Sequence, residues 1–385
     1  MKTENWKTVR LEDIFDLQMG KTPDRKKLDY FQGSHKWISI ADISKSEKYI
    51  SETKEYLTDE AIASSGIKSI PKDTLIMSFK LSIGKTAITS DEMYSNEAIM
   101  AFLSNGKYET DNSFLYHLFS NKDWSEGSNK AVKGITLNKA SLSEAKISLP
   151  PLETQKHIAA VLDKCTALIA KHKLMLEKYD TLIKSRFIEM FGDPVTNSMG
   201  WEVKKLKETA EIITGNTPSR KEKDNYGTHI EWIKTDNITN LTYVTTASES
   251  LSEIGEKLGR SVEAGAILMA CIAGSLRSIG RVALTDRKVA FNQQINAIVP
   301  KQYNNLFLYV LFQNTQSYAQ STVNMALKGI LSKGKLEELE YIVPPLELQN
   351  DFASFVQQID KSKFEIWRYL KFSDIMNKIG FRFYD

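Results

Sequence analysis

Imidazole, thiolate and paired carboxylates carry most general-base, nucleophilic and metal chemistry, so their spacing is weighed first. The five histidines, His35, His117, His157, His172 and His229, do not cluster, and no HExxH is present. The two cysteines, Cys165 and Cys271, form no CxxC pair and read as small core residues. So few cysteines point to a reduced, cytoplasmic setting without a disulfide frame. Gly84-Lys85-Thr86 has the tail of a phosphate-binding loop, but position 79 is Phe where GxxxxGK[ST] needs Gly. Pro150-Pro151 and Pro344-Pro345 lack the polar and aromatic neighbours that hold an amino group in Asn/Asp-Pro-Pro-aromatic methyltransferase motifs. Leu149 and Val343 precede them, and Leu152 and Leu346 follow. The chain therefore reads as non-catalytic, with no metal or cofactor of its own.

What recurs instead is a set of basic, polar loops. GKTPDRKK at 20–27 and GNTPSRKEK at 215–223 supply Lys21, Thr22, Arg25 and Lys26, then Thr217, Arg220 and Lys221. FKLSIGK at 79–85 and GSLRSIGR at 274–281 supply Lys80, Ser82 and Lys85, then Arg277, Ser278 and Arg281. SNKAVKGIT at 128–136 and NMALKGILS at 324–332 add Lys133 and Lys328. Lysine and arginine neutralise phosphates, and Arg, Asn, Gln and Ser can read base edges in the major groove. A single basic loop is usually a solvated turn. Three such loops, each present twice, point to a DNA-binding surface. The net charge of +3 permits that partner without arguing for it.

These loops come twice because the whole chain does. Trp6 and Leu11 reappear as Trp201 and Leu206, and Trp37-Ile38 as Trp232-Ile233 at the same shift of 195. Ser82-Ile83-Gly84-Lys85 reappears as Ser278-Ile279-Gly280-Arg281 at a shift of 196. LPPLETQ at 149–155 and VPPLELQ at 343–349 close the two copies. Between Trp37 and Pro71, and between Trp232 and Gly265, the copies barely agree, so they share a scaffold but not a surface. Hydrophobic content of 42% and charged content of 26% are those of a globular protein. The apolar run at 264–274 is too short to span a bilayer, and no membrane association is expected.

Each copy reads as mixed α/β. DTLIMSF at 73–79 and GAILMACI at 265–272 have the brevity and bounding turns of buried strands. The runs at 114–120 and 306–313 are ambiguous and lean to helix. After each proline pair a long helix is expected, about 50 to 60 Å in length. The first ends at Phe191-Gly192-Asp193-Pro194 and the second near Gly380. Steps of three and four mark a stripe at Ile158, Val161, Cys165, Leu168, His172, Met175, Tyr179 and Leu182. Its counterpart runs through Phe352, Phe355, Ile359, Ile366, Tyr369 and Met376. Such long stripes favour packing of the helices on each other, antiparallel if a pseudo-twofold axis relates the copies.

The order of these motifs resembles the specificity subunit of a Type I restriction–modification system over nearly the full length. FGDPVTNSMGW at 191–201 resembles that family's junction between the first helix and the second recognition domain. The resemblance implies an α+β fold with two target recognition domains, at 1–150 and 192–343. It also implies a central spacer helix at 151–191 and a C-terminal one at 344–385, packed as an antiparallel coiled coil. The expected function is to read a bipartite, asymmetric site on double-stranded DNA, one half per domain, with no catalysis. The implied partners are two modification subunits, which bind S-adenosylmethionine and methylate adenine N6, and restriction subunits. Two alternatives remain open: a specificity protein of a methylation-only or other defence system without nuclease, and a duplicated coiled-coil adaptor that does not bind DNA.

Overall fold

The structure, a computed structural model, describes residues 6–124, 137–323 and 329–380, with the backbone alone for 371–380. Two compact units emerge, Met1–Lys171 with Leu370–Asp385 and His172–Tyr369. In the first, Phe15–Met19, Ile99–Ser104, Leu75–Ser78, Thr86–Thr89 and Tyr49–Ile50 lie side by side in that order. The central strand Leu75–Ser78 is buried on both faces, so it reads as an unbroken apolar run rather than an alternating one. Leu75, Met77, Met100 and Phe102 pack towards Leu115 and Phe119 of the helix Asn112–Asn121. Ile76, Ala87, Ile99 and Ala101 pack towards Ile38 and Ile43 on the other face. A smaller sheet holds Glu55–Leu57, His35–Ile38 and Tyr94–Ser95, with Trp37-Ile38 parallel to Tyr94-Ser95.

The second unit repeats this plan. Ala210–Thr214, Ile295–Pro300, Ile267–Ala270 and Val282–Leu284 form its main sheet, again with the buried strand inside. Trp232-Ile233 runs parallel to Ala290-Phe291, as the equivalent pair does in the first unit. The two ambiguous aromatic segments are both helices, Asn112–Asn121 and Asn305–Asn314. Each is capped by its preceding side chain: Asp111 accepts from the Phe114 amide, and Asn304 from those of Leu306 and Phe307. No helix among the described residues is long and apolar enough to cross a membrane.

The two long helices span Leu152–Phe191 and Leu346–Gly380. At 1.5 Å per residue the central helix is about 60 Å long. The prolines stand immediately before the first turn, and the Pro151 carbonyl accepts from the Thr154 and Gln155 amides at 2.9 and 3.0 Å. The repeated glutamine then acts as a latch. Gln155 is fully buried and donates to the carbonyls of Pro150 (2.8 Å) and Glu109 (3.1 Å) while accepting from the Asp111 amide (2.9 Å). Gln349, equally buried, donates to the Pro344 carbonyl (2.8 Å) and accepts from the Asn304 amide (2.9 Å). In each copy, one side chain thus ties the start of the long helix to the cap of the aromatic helix.

Within the second unit the end of the central helix lies antiparallel to the C-terminal helix. His172 meets Tyr369 edge-on at 4.9 Å, Lys363 pairs with Asp180 at 2.6 Å, and Phe187 meets Phe352 at 5.5 Å. Phe187, Phe191, Phe307 and Phe352 form one aromatic cluster in that unit's core.

The buried faces differ from the expected stripes. Val161, Leu168 and Leu182 are exposed, whereas Ile183 is buried and Leu162, Ile169 and Leu176 are partly covered. On the C-terminal helix Phe352, Val356 and Ile359 are buried, Phe355 and Ile366 half-buried and Tyr369 exposed. Ile158 is buried, and Cys165, Met175 and Tyr179 are half-buried. Two heptad frames were available, because apolar residues stand in adjacent pairs at 161/162, 168/169, 175/176 and 182/183. The frames share Ile158, Cys165, His172 and Tyr179, and the covered face follows the second of each pair. The Met376 side chain lies outside the described residues.

Candidate nucleic-acid interface

The Gly-x-Thr-Pro loop is built the same way in both units. Gly20 lies so close to the Ser95 and Asn96 carbonyls, and Gly215 to the Asn292 carbonyl, that a Cβ at either position would collide with them. Only glycine allows that approach. The indole of Trp37 donates to the Lys21 carbonyl (3.2 Å), and that of Trp232 to the Asn216 carbonyl (3.4 Å). Arg25 lies over the rings of Phe31 and Trp37 at 4.2 and 4.6 Å and grips Glu55 with two hydrogen bonds, 2.6 and 2.9 Å. Arg220 repeats this over Tyr226 and Trp232, pairing with Glu249 at 2.8 Å. Stacking and a carboxylate thus brace both arginines against the loop, while their side chains stay exposed.

The second loop converges on the same turn as the first. Phe79, at the start of FKLSIGK, donates its amide to the Ala98 carbonyl (3.0 Å), while Lys21 donates its amide to Ser95 (2.8 Å). In the second unit the Cys271 amide donates to Gln294 (2.8 Å) and the Asn216 amide to Phe291 (3.2 Å). Each turn is an Asx turn: Asn96 accepts from the Ala98 amide at 3.0 Å, and Asn292 from the Gln294 amide at 3.1 Å. At its tip the Thr22 hydroxyl donates to Glu97 and the Thr217 hydroxyl to Gln293. Partial burial raises the Glu97 carboxyl, but the Thr22 hydrogen bond, its own amide, and Lys80 and Arg25 outweigh it and hold it below its ordinary value.

Among the described residues, Lys26, Lys80, Lys85, Lys221 and Arg277 make no ion pair, and all but the half-buried Lys80 are exposed. Lys80 lies 5.2 Å above the Phe79 ring. Lys21 turns instead to the Ser65 carbonyl at the end of the helix Asp59–Ser65. Ser82 is exposed, and its carbonyl takes the Ser78 hydroxyl. Ser278 shares a hydrogen bond with Ser275 at 3.0 Å. Arg281 does not join the exposed group. It is half-buried, donates to the Ile238 carbonyl, and borders a cavity of about 340 Å³ beside Tyr309, Asn314 and Asp360. Lys133 and Lys328 lie outside the described residues. In the second unit, Gly329-Ile330 pairs with Ile272-Ala273, bringing the third loop's end beside the second loop.

Sequence reasoning passed over Glu97 and Gln293. Their signal was present, since Asn96-x-x-Ile99 and Asn292-x-x-Ile295 recur at the shift of 196. Neither residue is basic, so a search for cations overlooked both. No group of three or more His, Cys, Asp or Glu able to hold a metal occurs among the described residues. Burial pushes the Cys271 thiol up to about 12, so it is no nucleophile at neutral pH.

The chain matches the family described as Type I restriction modification DNA specificity domain twice, at residues 3–178 and 199–371. It is 24% identical over 379 residues to the Type I restriction enzyme MjaIX specificity subunit of Methanocaldococcus jannaschii, covering 92% of this chain and 87% of that one. The HindI specificity subunit of Haemophilus influenzae is 30% identical over 172 residues, 42% of this chain and 35% of that one. Among solved structures, the Type I S subunit from M. genitalium aligns with a TM-score of 0.57 at 14% identity, covering 98% and 95% of the two chains. A chain from a study of complex assembly and conformational transition of the type I R-M system aligns at 0.54 and 15% identity, covering 98% and 97%. With the repeated domain matched along both halves, the chain belongs to the DNA specificity subunits of Type I restriction–modification systems, the non-catalytic components of those systems.

Proposed function

We propose that each unit binds one half of a bipartite, asymmetric site on double-stranded DNA, and that the two long helices fix the gap between the halves. One observation carries this reading. The same three-way junction of Gly-x-Thr-Pro loop, post-strand loop and Asx turn is built twice around a fixed polar tip, and its loops carry cations that make no ion pair among the described residues. Lys26, Lys80 and Lys85 in the first unit, and Lys221 and Arg277 in the second, neutralise phosphates and position the duplex. Glycine-fixed backbones and stacked arginines keep the loops in shape, so little ordering remains to be done on binding.

The helices serve as ruler and dock. A span of about 60 Å exceeds one turn of duplex, 34–36 Å, so two domains can address separate major-groove segments. Two modification subunits, carrying S-adenosylmethionine, methylate adenine in the site that this chain selects, and restriction subunits join the same assembly. The test is a mobility shift of the chain assembled with its modification subunits on duplex DNA over a salt series, followed by deletion of two heptads from both helices. A salt-sensitive complex whose tolerated gap shortens in the variant supports the reading. A complex insensitive to salt would leave a coiled-coil adaptor, and an unchanged gap would remove the ruler.

A further inference from the structure

We propose that one shared position, Glu97 in the first unit and Gln293 in the second, is a specificity-determining contact to a base edge in each half of the DNA site. This rests on the DNA-reading function above and deepens it by naming the reading atom. Both side chains are exposed at the tip of an Asx turn whose backbone is fixed by Asn96 or Asn292 and by the close-packed Gly20 or Gly215. Both are oriented by a threonine hydroxyl from the Gly-x-Thr-Pro loop, which holds one side-chain oxygen. Each exposed side chain keeps a second polar atom that the threonine does not hold.

The charge of Glu97 sharpens the inference. A carboxylate whose neighbouring charges are Lys80 and Arg25 repels the phosphates those cations attract, which disfavours a role in gripping the backbone. In the major groove a carboxylate finds a donor only in the amino groups of cytosine and adenine. Gln293 carries an acceptor and a donor together, which matches adenine N6 and N7. The two units thus share one frame and present different chemistry at the same place. A single substitution at this position changes which base is accepted without disturbing the scaffold.

The experiment is sequencing of methylated sites produced by the chain assembled with its modification subunits, for the parent, Glu97→Gln and Gln293→Glu. Glutamine at 97 still accepts from Thr22, and glutamate at 293 still accepts from Thr217, so the turns keep their anchor. The expected result is a change of preferred base at one position of one half-site, by roughly 10- to 100-fold in relative methylation, with the other half-site unchanged. The second variant alters the opposite half-site. An identical motif at unchanged rates in both variants overturns the inference, as does uniform loss over all sequences with the melting temperature retained. If the parent assembly itself shows no sequence preference, the DNA-reading function falls and takes the inference with it. That result is distinct from failure confined to the two variants.

Discussion

Replacing Gln155 or Gln349 by leucine removes the latch between the proline pair and the aromatic helix without changing side-chain volume much, so the cost falls on hydrogen bonding. Gln155→Leu strands three backbone groups, the carbonyls of Pro150 and Glu109 and the amide of Asp111. Gln349→Leu strands two, the Pro344 carbonyl and the Asn304 amide. Both glutamines are fully buried, so water cannot take over these bonds without opening the structure. At about 1 kcal/mol for each stranded group, the low end for a buried orphan, the costs are about 3 and about 2 kcal/mol. Urea unfolding, followed by tryptophan fluorescence and by far-UV circular dichroism, measures them. The order matters as much as the size. Losses of less than about 0.5 kcal/mol in both variants, or a larger loss at Gln349 than at Gln155, refute the latch.

Ile183→Ala should cost about 2–5 kcal/mol in the same assay, while Leu182→Ala next to it stays within about 0.5 kcal/mol; equal costs would return the buried face to the other heptad frame. Lys205 and Lys207 hydrogen-bond Glu338 and hold its carboxyl down at about 2. Because its folded pKa lies below the ordinary 4.5, its contribution is present above that value and is lost as pH falls towards 2. Glu338→Gln should therefore flatten the stability profile within that window, and a profile parallel to the parent's from pH 5 to 2 counts against the pairing. Lys26→Ala, Lys80→Ala and Lys85→Ala should each lower the slope of log affinity against log salt by up to about 0.9 for the assembled methyltransferase. Arg281→Ala, committed to Ile238, should leave that slope unchanged.

Much of this was legible because duplication supplies its own control. The buried strands, both long helices and the loop positions follow from motifs that recur at nearly constant shift. Three features were not legible, each for a physical reason. Adjacent apolar pairs such as Leu182 and Ile183 leave the helix frame undecided by periodicity, and the packing of Phe187 and Phe352 decides it. The pairing of Arg25 with Glu55 and of Arg220 with Glu249 was hidden because the partners lie 30 and 29 residues away in the least similar part of the copies. Nothing in the repeated LPPLETQ and VPPLELQ gives Gln155 and Gln349 a direction, and only the fold shows them turned inward against a loop more than 40 residues distant.

The central claim is the proposed reading of one half-site by each unit, and the sequence of methylated sites tests it most directly. When the chain is expressed with its modification subunits in a host lacking other methylation, the account predicts one asymmetric motif of two defined half-sites around a gap of constant length. A single uninterrupted motif, or methylation without any motif, would contradict it.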